Sequence, residues 1–121
     1  MLGATGTIGR ATARVLHARG HQVVCLVRDR TKARPLLPGI ELREGQVTDP
    51  VSVQRDGFRG ETFDIVVSCL ASRTGVKRNA WAIDHQAHVN VLQAARKAGV
   101  THWIQLSAIC VQKPLLAFQK A

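Results

Sequence analysis

Tyrosine is absent from the 121-residue chain, and acids are scarce: 8 Asp plus Glu stand against 17 Lys plus Arg, a formal charge of +9. No phenol within these residues can therefore serve as an acid or base. Cysteine appears three times, as Cys25, Cys69 and Cys110. An odd number at wide spacing fits neither a disulfide framework nor a zinc site, and it points to a reducing compartment. No apolar run approaches ~18 residues, so no membrane-spanning helix is expected. The first residues are glycine-rich rather than basic and then apolar, so no secretory signal is read. Low-complexity tracts are also missing, and 45% hydrophobic residues exclude general disorder.

The length suits one domain, residues 1–121. A strong positive charge can mark a nucleic-acid surface. Here, however, twelve of the cations are arginines spread from Arg10 to Arg96. The one tight run, Arg28, Arg30, Lys32 and Arg34, contains no aromatic residue on which a base could stack. A local anion site is expected, and no nucleic-acid partner.

Two kinds of segment alternate along the chain. Ile8, Ala11, Thr12, Val15 and Leu16 form a helical stripe that stops at Gly20. The β-branched run Val23 to Val27 reads as a strand covered on both faces. Pro35 and Pro38 prevent a long helix after it, and residues 40–47 suit another strand. Asp49-Pro50 reads as an N-cap with proline at the first helical position, opening a short helix to about Asp56. Ile65 to Leu70 is a further strand. Ile83, Ala87, Val91, Ala94, Ala95 and Ala98 make a second helical stripe, and His102 to Cys110 a last strand. Strands alternating with helices imply parallel pairing through right-handed crossovers. The fold class is α/β, a Rossmann-like doubly wound parallel sheet. It is expected to be truncated: only Met1 and Leu2 precede the first glycine turn, too few for the central strand, and the substrate part should lie downstream.

Gly3-Ala4-Thr5-Gly6-Thr7-Ile8-Gly9 has the spacing G-x-x-G-x-x-G and runs directly into the first helical stripe. Glycines at these steps permit a tight turn, close approach of backbone N–H groups to a pyrophosphate, and close packing of helix on strand. The helix N-terminus adds unpaired donors and partial positive charge. Gly3, Thr5, Gly6, Thr7, Ile8 and Gly9 are the expected pyrophosphate contacts, with Thr5 and Thr7 offering hydroxyls.

The kind of dinucleotide is read at the end of the next strand. Where an NAD site places Asp or Glu for the ribose diol, this chain has Leu26-Val27-Arg28. An arginine fork matches a 2′-phosphate in charge and geometry, so NADPH is the expected cofactor. Asp29 keeps the alternative open, since a small shift in register would make it the ribose ligand. Val47, Leu70, Ala71 and Ser107 close successive strands and are further expected contacts. Asp49 is expected to cap a helix.

These residues carry a resemblance. The glycine turn, the Leu26-Val27-Arg28 ending and Ala94-Ala95-Arg96-Lys97-Ala98-Gly99-Val100 resemble atypical, NmrA-like short-chain dehydrogenase/reductases. Three further segments, Val66 to Arg73, Trp81-Ala82-Ile83-Asp84 and Leu106 to Leu116, resemble the NADPH-dependent 3,8-divinyl (proto)chlorophyllide 8-vinyl reductases. The resemblance covers nearly the whole chain. It implies hydride transfer from NADPH to the 8-vinyl group of a tetrapyrrole, divinyl chlorophyllide or protochlorophyllide, in a bacterial cytoplasm or a plastid. The NmrA-like branch also contains non-catalytic NADP-binding sensors and assembly factors, which are the alternative. The superfamily's Tyr-x-x-x-Lys pair is not matched: Phe118 stands at the tyrosine position, and Ala108 at the usual serine with Ser107 before it. Vinyl reduction forms no alkoxide and tolerates that change, so no catalytic residue is assigned.

The remaining residues with reactive side chains have plainer readings. His85 and His88, three apart, have metal-ligand spacing but no third ligand, and are expected to face solvent. Cys25 and Cys69 are expected as mid-strand core thiols. Cys110 is expected at a strand's carboxyl end. Arg73, Lys77 and Arg78 read as a basic loop, solvated or able to steer an anionic tetrapyrrole. Lys113 could meet a propionate or phosphate or stay solvated, and Trp81 could pack on a macrocycle or anchor the helix start.

Overall fold

Met1 and Leu2 lie at the centre of a parallel sheet. In the computed structural model, which describes residues 1–109 and 111–121, Leu26 N–H donates to Met1 O at 3.0 Å and Leu2 N–H donates to Val67 O at 2.9 Å. Cys69 N–H returns a bond to Leu2 O at 3.1 Å, and the Met1 amino group donates to Val24 O at 2.6 Å. The first strand is thus reduced to a two-residue stub with one bridge to Ser68, as the few residues before Gly3 imply. Cys110 lies outside the described residues.

Around this stub the elements follow in the order read from the sequence. Helix α1 (Thr7–Ala18) leads to strand β1 (Val24–Val27), then to helix α2 (Arg30–Ala33), a 3-10 turn (Arg34–Leu36) and strand β2 (Glu41–Glu44). Helix α3 (Pro50–Ser52) widens into a π-type coil (Val53–Phe58) and precedes strand β3 (Ile65–Ser68). A long helical stretch starts as α4 (Lys77–Asn79), widens the same way (Ala80–Gln86) and continues as α5 (Ala87–Lys97). Strand β4 (His102–Gln105) and helix α6 (Ala117–Lys120) complete the chain.

β1 pairs in parallel with β2, Val24 opposite Glu41, and β3 with β4, Ile65 opposite His102. Leu2 bridges to Ser68, so the order across the sheet is β2, β1, the Met1–Leu2 stub, β3, β4. That is the doubly wound order, with strand direction and crossover hand placing every loop that follows a strand on one edge.

Two apolar layers result. On one face Cys25, Val27 and Leu42 pack with Ala4, Ala13, Ala33, Leu37 and Ile40. On the other, Leu2, Val47, Val53 and Val66 meet Ala87, Val91, Ala94 and Ala95 of α5, as that helix's stripe predicts. Helix α1 departs from its expected stripe: Gly9 and Ala13 are buried, while Ile8 and Val15 are exposed at 56% and 50%. The smallest residues face the sheet because the helix begins in direct backbone contact with the turn. Strand β4 is also shorter than expected and sits at the sheet edge, with Ile104 exposed.

Candidate functional site: the carboxyl edge of the sheet

The turn after the stub is built by backbone contacts that leave no room for side chains. Gly6 N–H donates to Gly3 O at 3.1 Å, and Arg10 N–H donates to Gly6 O at 2.8 Å, starting α1. Gly3 has φ +68°, and a Cβ there would overlap the Cys69 carbonyl oxygen. A Cβ on Gly9 would overlap the Gly3 carbonyl oxygen. Gly6 differs: a Cβ there would lie 3.4 Å from Gly3 O, with nothing else closer than 4 Å. Gly3 and Gly9 therefore serve the packing, and Gly6 keeps the outer side of the turn open.

Gly6 is the N-cap of α1, and no side chain caps the helix. The first N–H groups of a helix have no partner within it, so this end presents free donors and a positive dipole end. Thr5, Thr7 and Ile8 are exposed beside it. An opening bounded by Gly6 and unpaired N–H groups fits a pyrophosphate.

Arg28 is exposed and follows β1 directly, while Val27 before it is buried in the core. The position that would need an acid for a ribose diol thus points inward, and the outward residue is a cation. Asp29 is occupied as the N-cap of α2. It accepts from Lys32 N–H at 2.9 Å and lies 3.2 Å from Lys32 Nζ. The Lys32 backbone N–H, and then its ammonium, hold the Asp29 carboxyl below the ordinary carboxylate range.

The loop after β2 is held from two sides. Ser52 Oγ accepts from Gln46 N–H at 2.9 Å and donates to Asp56 Oδ2 at 2.6 Å. Asn90 Nδ2 donates to Val47 O at 3.1 Å. The side chain of Val47 belongs to the core, so Val47 reaches this edge by its backbone. Asp49 caps α3 as expected, accepting from Val51 N–H at 2.9 Å.

After β3, Leu70 packs partly against the core and Ala71 is exposed. Ser107 is exposed just past β4. All eleven residues expected from the sequence as cofactor contacts, from Gly3 to Ser107, therefore follow the sheet's central stub or one of its strands on the same edge. Arg28 and Ser107 lie on opposite sides of the turn. Cys69 is half-buried one residue beyond β3 rather than mid-strand, while Cys25 is fully buried and burial pushes its thiol pKa up.

His88 corrects a second expectation. It is 8% exposed rather than solvent-facing, bonded to Ser68 Oγ at 2.8 Å and to Asp84 O at 3.0 Å. His85 is exposed and stacks edge-on with Trp81 at 5.2 Å between centroids. The available signal was the spacing of His88 from Val91 and Ala95, three and seven positions on, which places it on the apolar stripe of the helix. Lys77 and Arg78 belong to α4 rather than to a loop, and both are exposed. Among the described residues no cluster of three His, Cys, Asp or Glu could hold a metal. None of their helices is long and apolar enough to cross a membrane.

Comparison with known proteins agrees with this arrangement. The family model described as NAD(P)H-binding matches residues 3–120. The chain is 42% identical over 129 residues to divinyl chlorophyllide a 8-vinyl-reductase, chloroplastic, of Oryza sativa subsp. indica, with 98% of this chain and 32% of that protein covered. It is 29% identical to photosystem II assembly factor Ycf39 of Synechocystis, covering 90% of this chain and 33% of that one. The chain thus spans about a third of the length of these relatives. Among solved structures, a UDP-galactose 4-epimerase superposes with a TM-score of 0.82 at 21% identity, over 98% of this chain and 45% of that one, which establishes the fold.

Proposed function

The chain belongs to the NAD(P)H-binding family, and from that premise we propose that it is the NADPH-binding part of a divinyl chlorophyllide 8-vinyl reductase. The observation that carries this reading is the 42% identity to the rice reductase over 98% of the chain, glycine turn and strand-end loops included.

The chain's own residues supply binding and orientation. The open side of Gly6 and the free N–H groups of α1 receive the pyrophosphate. Arg28 pairs with the 2′-phosphate, and Arg30, Lys32 and Arg34 deepen the local positive potential. The Val47 and Leu70–Ala71 backbones flank the adenosine and nicotinamide ends. Held by the turn, Arg28 and these backbones, NADPH would supply the hydride for reduction of the vinyl group to ethyl, the proton coming from water or another acid. Phe118, 36% exposed in α6, offers no proton where a carbonyl reductase would have tyrosine. A C=C acceptor conjugated to a macrocycle does not require one. Arg73, Lys77 and Arg78 place positive charge beside the same edge, which suits an anionic tetrapyrrole. The rice relative is chloroplastic; a plastid, or the cytoplasm of a pigment-making bacterium, is the corresponding location.

The reading is tested in a polypeptide completed to the relatives' length, by following NADPH oxidation with divinyl chlorophyllide. Loss of the 8-vinyl group in step with NADPH supports it. NADPH binding without turnover favours the second reading, an assembly factor like that of Synechocystis, which the missing tyrosine also suits.

A further inference from the structure

Ser68, the last residue of β3, is fully buried and faces the helical stretch that contains Asp84 and His88. The direction of each hydrogen bond there follows from chemistry. The Asp84 carbonyl can only accept, so His88 Nδ1 carries the proton at 3.0 Å. In the neutral ring Nε2 is then an acceptor, and the Ser68 hydroxyl donates to it at 2.8 Å. Ser68 Oγ in turn accepts from Leu70 N–H at 3.3 Å. Every member is satisfied, and among the described residues no buried side-chain polar atom lacks a partner.

One turn earlier the Asp84 carboxylate takes both donors of Ser72: the backbone N–H at 2.9 Å and the hydroxyl in a closer contact. Asp84 and His88 therefore grip the loop at both ends from one side of one helix. Between the grips, the Leu70 carbonyl and the N–H and carbonyl of Ala71 make no protein hydrogen bond among the described residues. Cys69, before them, is pressed against Gly3 of the turn. The result is a two-residue ledge with free polar groups beside the pyrophosphate opening. A hydrolytic Ser–His pair is excluded, because Ser68 is buried at 0% exposure and its oxygen is already engaged.

We propose that Asp84 and His88 are positioning residues, which set the Leu70–Ala71 backbone as the rest for the nicotinamide-ribose half of the cofactor. The inference rests on the NADPH reading above and extends it to residues that touch no cofactor. It requires the clamp to matter for one half of the dinucleotide only, since Arg28 and the turn hold the other.

The test is titration of the chain and its variants with NADPH and with adenosine 2′,5′-bisphosphate, which lacks the nicotinamide half. Asp84→Ala and Ser72→Ala should each weaken NADPH about tenfold, the scale of one or two hydrogen bonds, and the bisphosphate by less than about twofold. His88→Phe keeps the ring against Trp103 but loses both bonds, and should show the same split. Ser72→Thr keeps both donors and should restore NADPH binding relative to Ser72→Ala. Because Ser72 is half-buried in a loop, its variants keep the test open if the His88 variant fails to fold. Equal weakening of both ligands, or no weakening of NADPH, would overturn the inference. Failure of the unaltered chain to bind either ligand would overturn the cofactor reading together with it.

Discussion

Gly9 lies so close beneath Gly3 that a single methyl group on the first would occupy the carbonyl oxygen of the second. This contact, rather than any ligand, is why the third glycine of the turn is needed. It separates two roles that the motif alone merges.

Gly9→Ala should therefore destabilise the fold by about 1–3 kcal/mol or more, the cost of overpacking against a backbone that cannot yield. Gly6→Val should leave stability nearly unchanged while abolishing binding of both NADPH and NADH. Thermal melts paired with cofactor titration check this. A Gly6→Val protein that still binds would make the turn purely structural.

Arg28 is exposed directly after β1. Arg28→Ala should weaken NADPH by about 1–3 kcal/mol, the range of a charge-assisted contact, with little effect on NADH. Equal losses measured for the two cofactors would remove the 2′-phosphate from its assigned place.

Arg43 is buried with its guanidinium on Glu41 at 2.8 Å, Glu61 at 2.6 Å and Gly57 O at 2.8 Å. Burial alone would lower its pKa, but the Glu61 and Glu41 carboxylates outweigh that and raise it. Arg43→Ala should cost about 1–3 kcal/mol in chemical denaturation, since it leaves the Gly57 carbonyl without its donor. NADPH affinity should stay within twofold, because the groups Arg43 binds, Glu41, Gly57 and Glu61, are not among the expected cofactor contacts.

Asp56 is held well below the ordinary carboxylate range, first by Arg55 at 2.7 Å and then by Ser52. A depressed folded-state pKa gives stability that is present above the unfolded pKa and lost as pH falls through the folded one. The advantage of the native chain over Asp56→Asn should be constant at neutral pH and shrink below about pH 4. Denaturation curves at several pH values measure it. An advantage that persisted unchanged to strong acid would show that Asp56 contributes by packing and not by charge.

Much of this could be read beforehand, because it depends on neighbours in sequence. The glycine spacing, the Asp49-Pro50 helix start and the Ala87–Val91–Ala94 face are local patterns, and each was found in place. What escaped the reading depends on distant partners. His88 looks like a surface residue until Ser68, twenty positions earlier, meets it. Ile8 and Val15 have core spacing, yet the turn's close backbone packing rotates Gly9 and Ala13 inward in their stead.

That rotation governs how the chain behaves toward its own copies. Ile8 and Val15 on α1, and Ile65 and Ile104 on the sheet, are each about half exposed. Apolar surface of this kind favours adhesion, while a charge of +9 pushes molecules apart. The repulsion is the term that electrolyte weakens, its reach falling to about 10 Å at 0.1 M salt and about 3 Å at 1 M. Burial of isoleucine is not weakened by salt and is strengthened by sulfate. The isolated chain should thus disperse best in dilute buffer and cluster as salt rises, the reverse of a protein whose copies are joined by ion pairs.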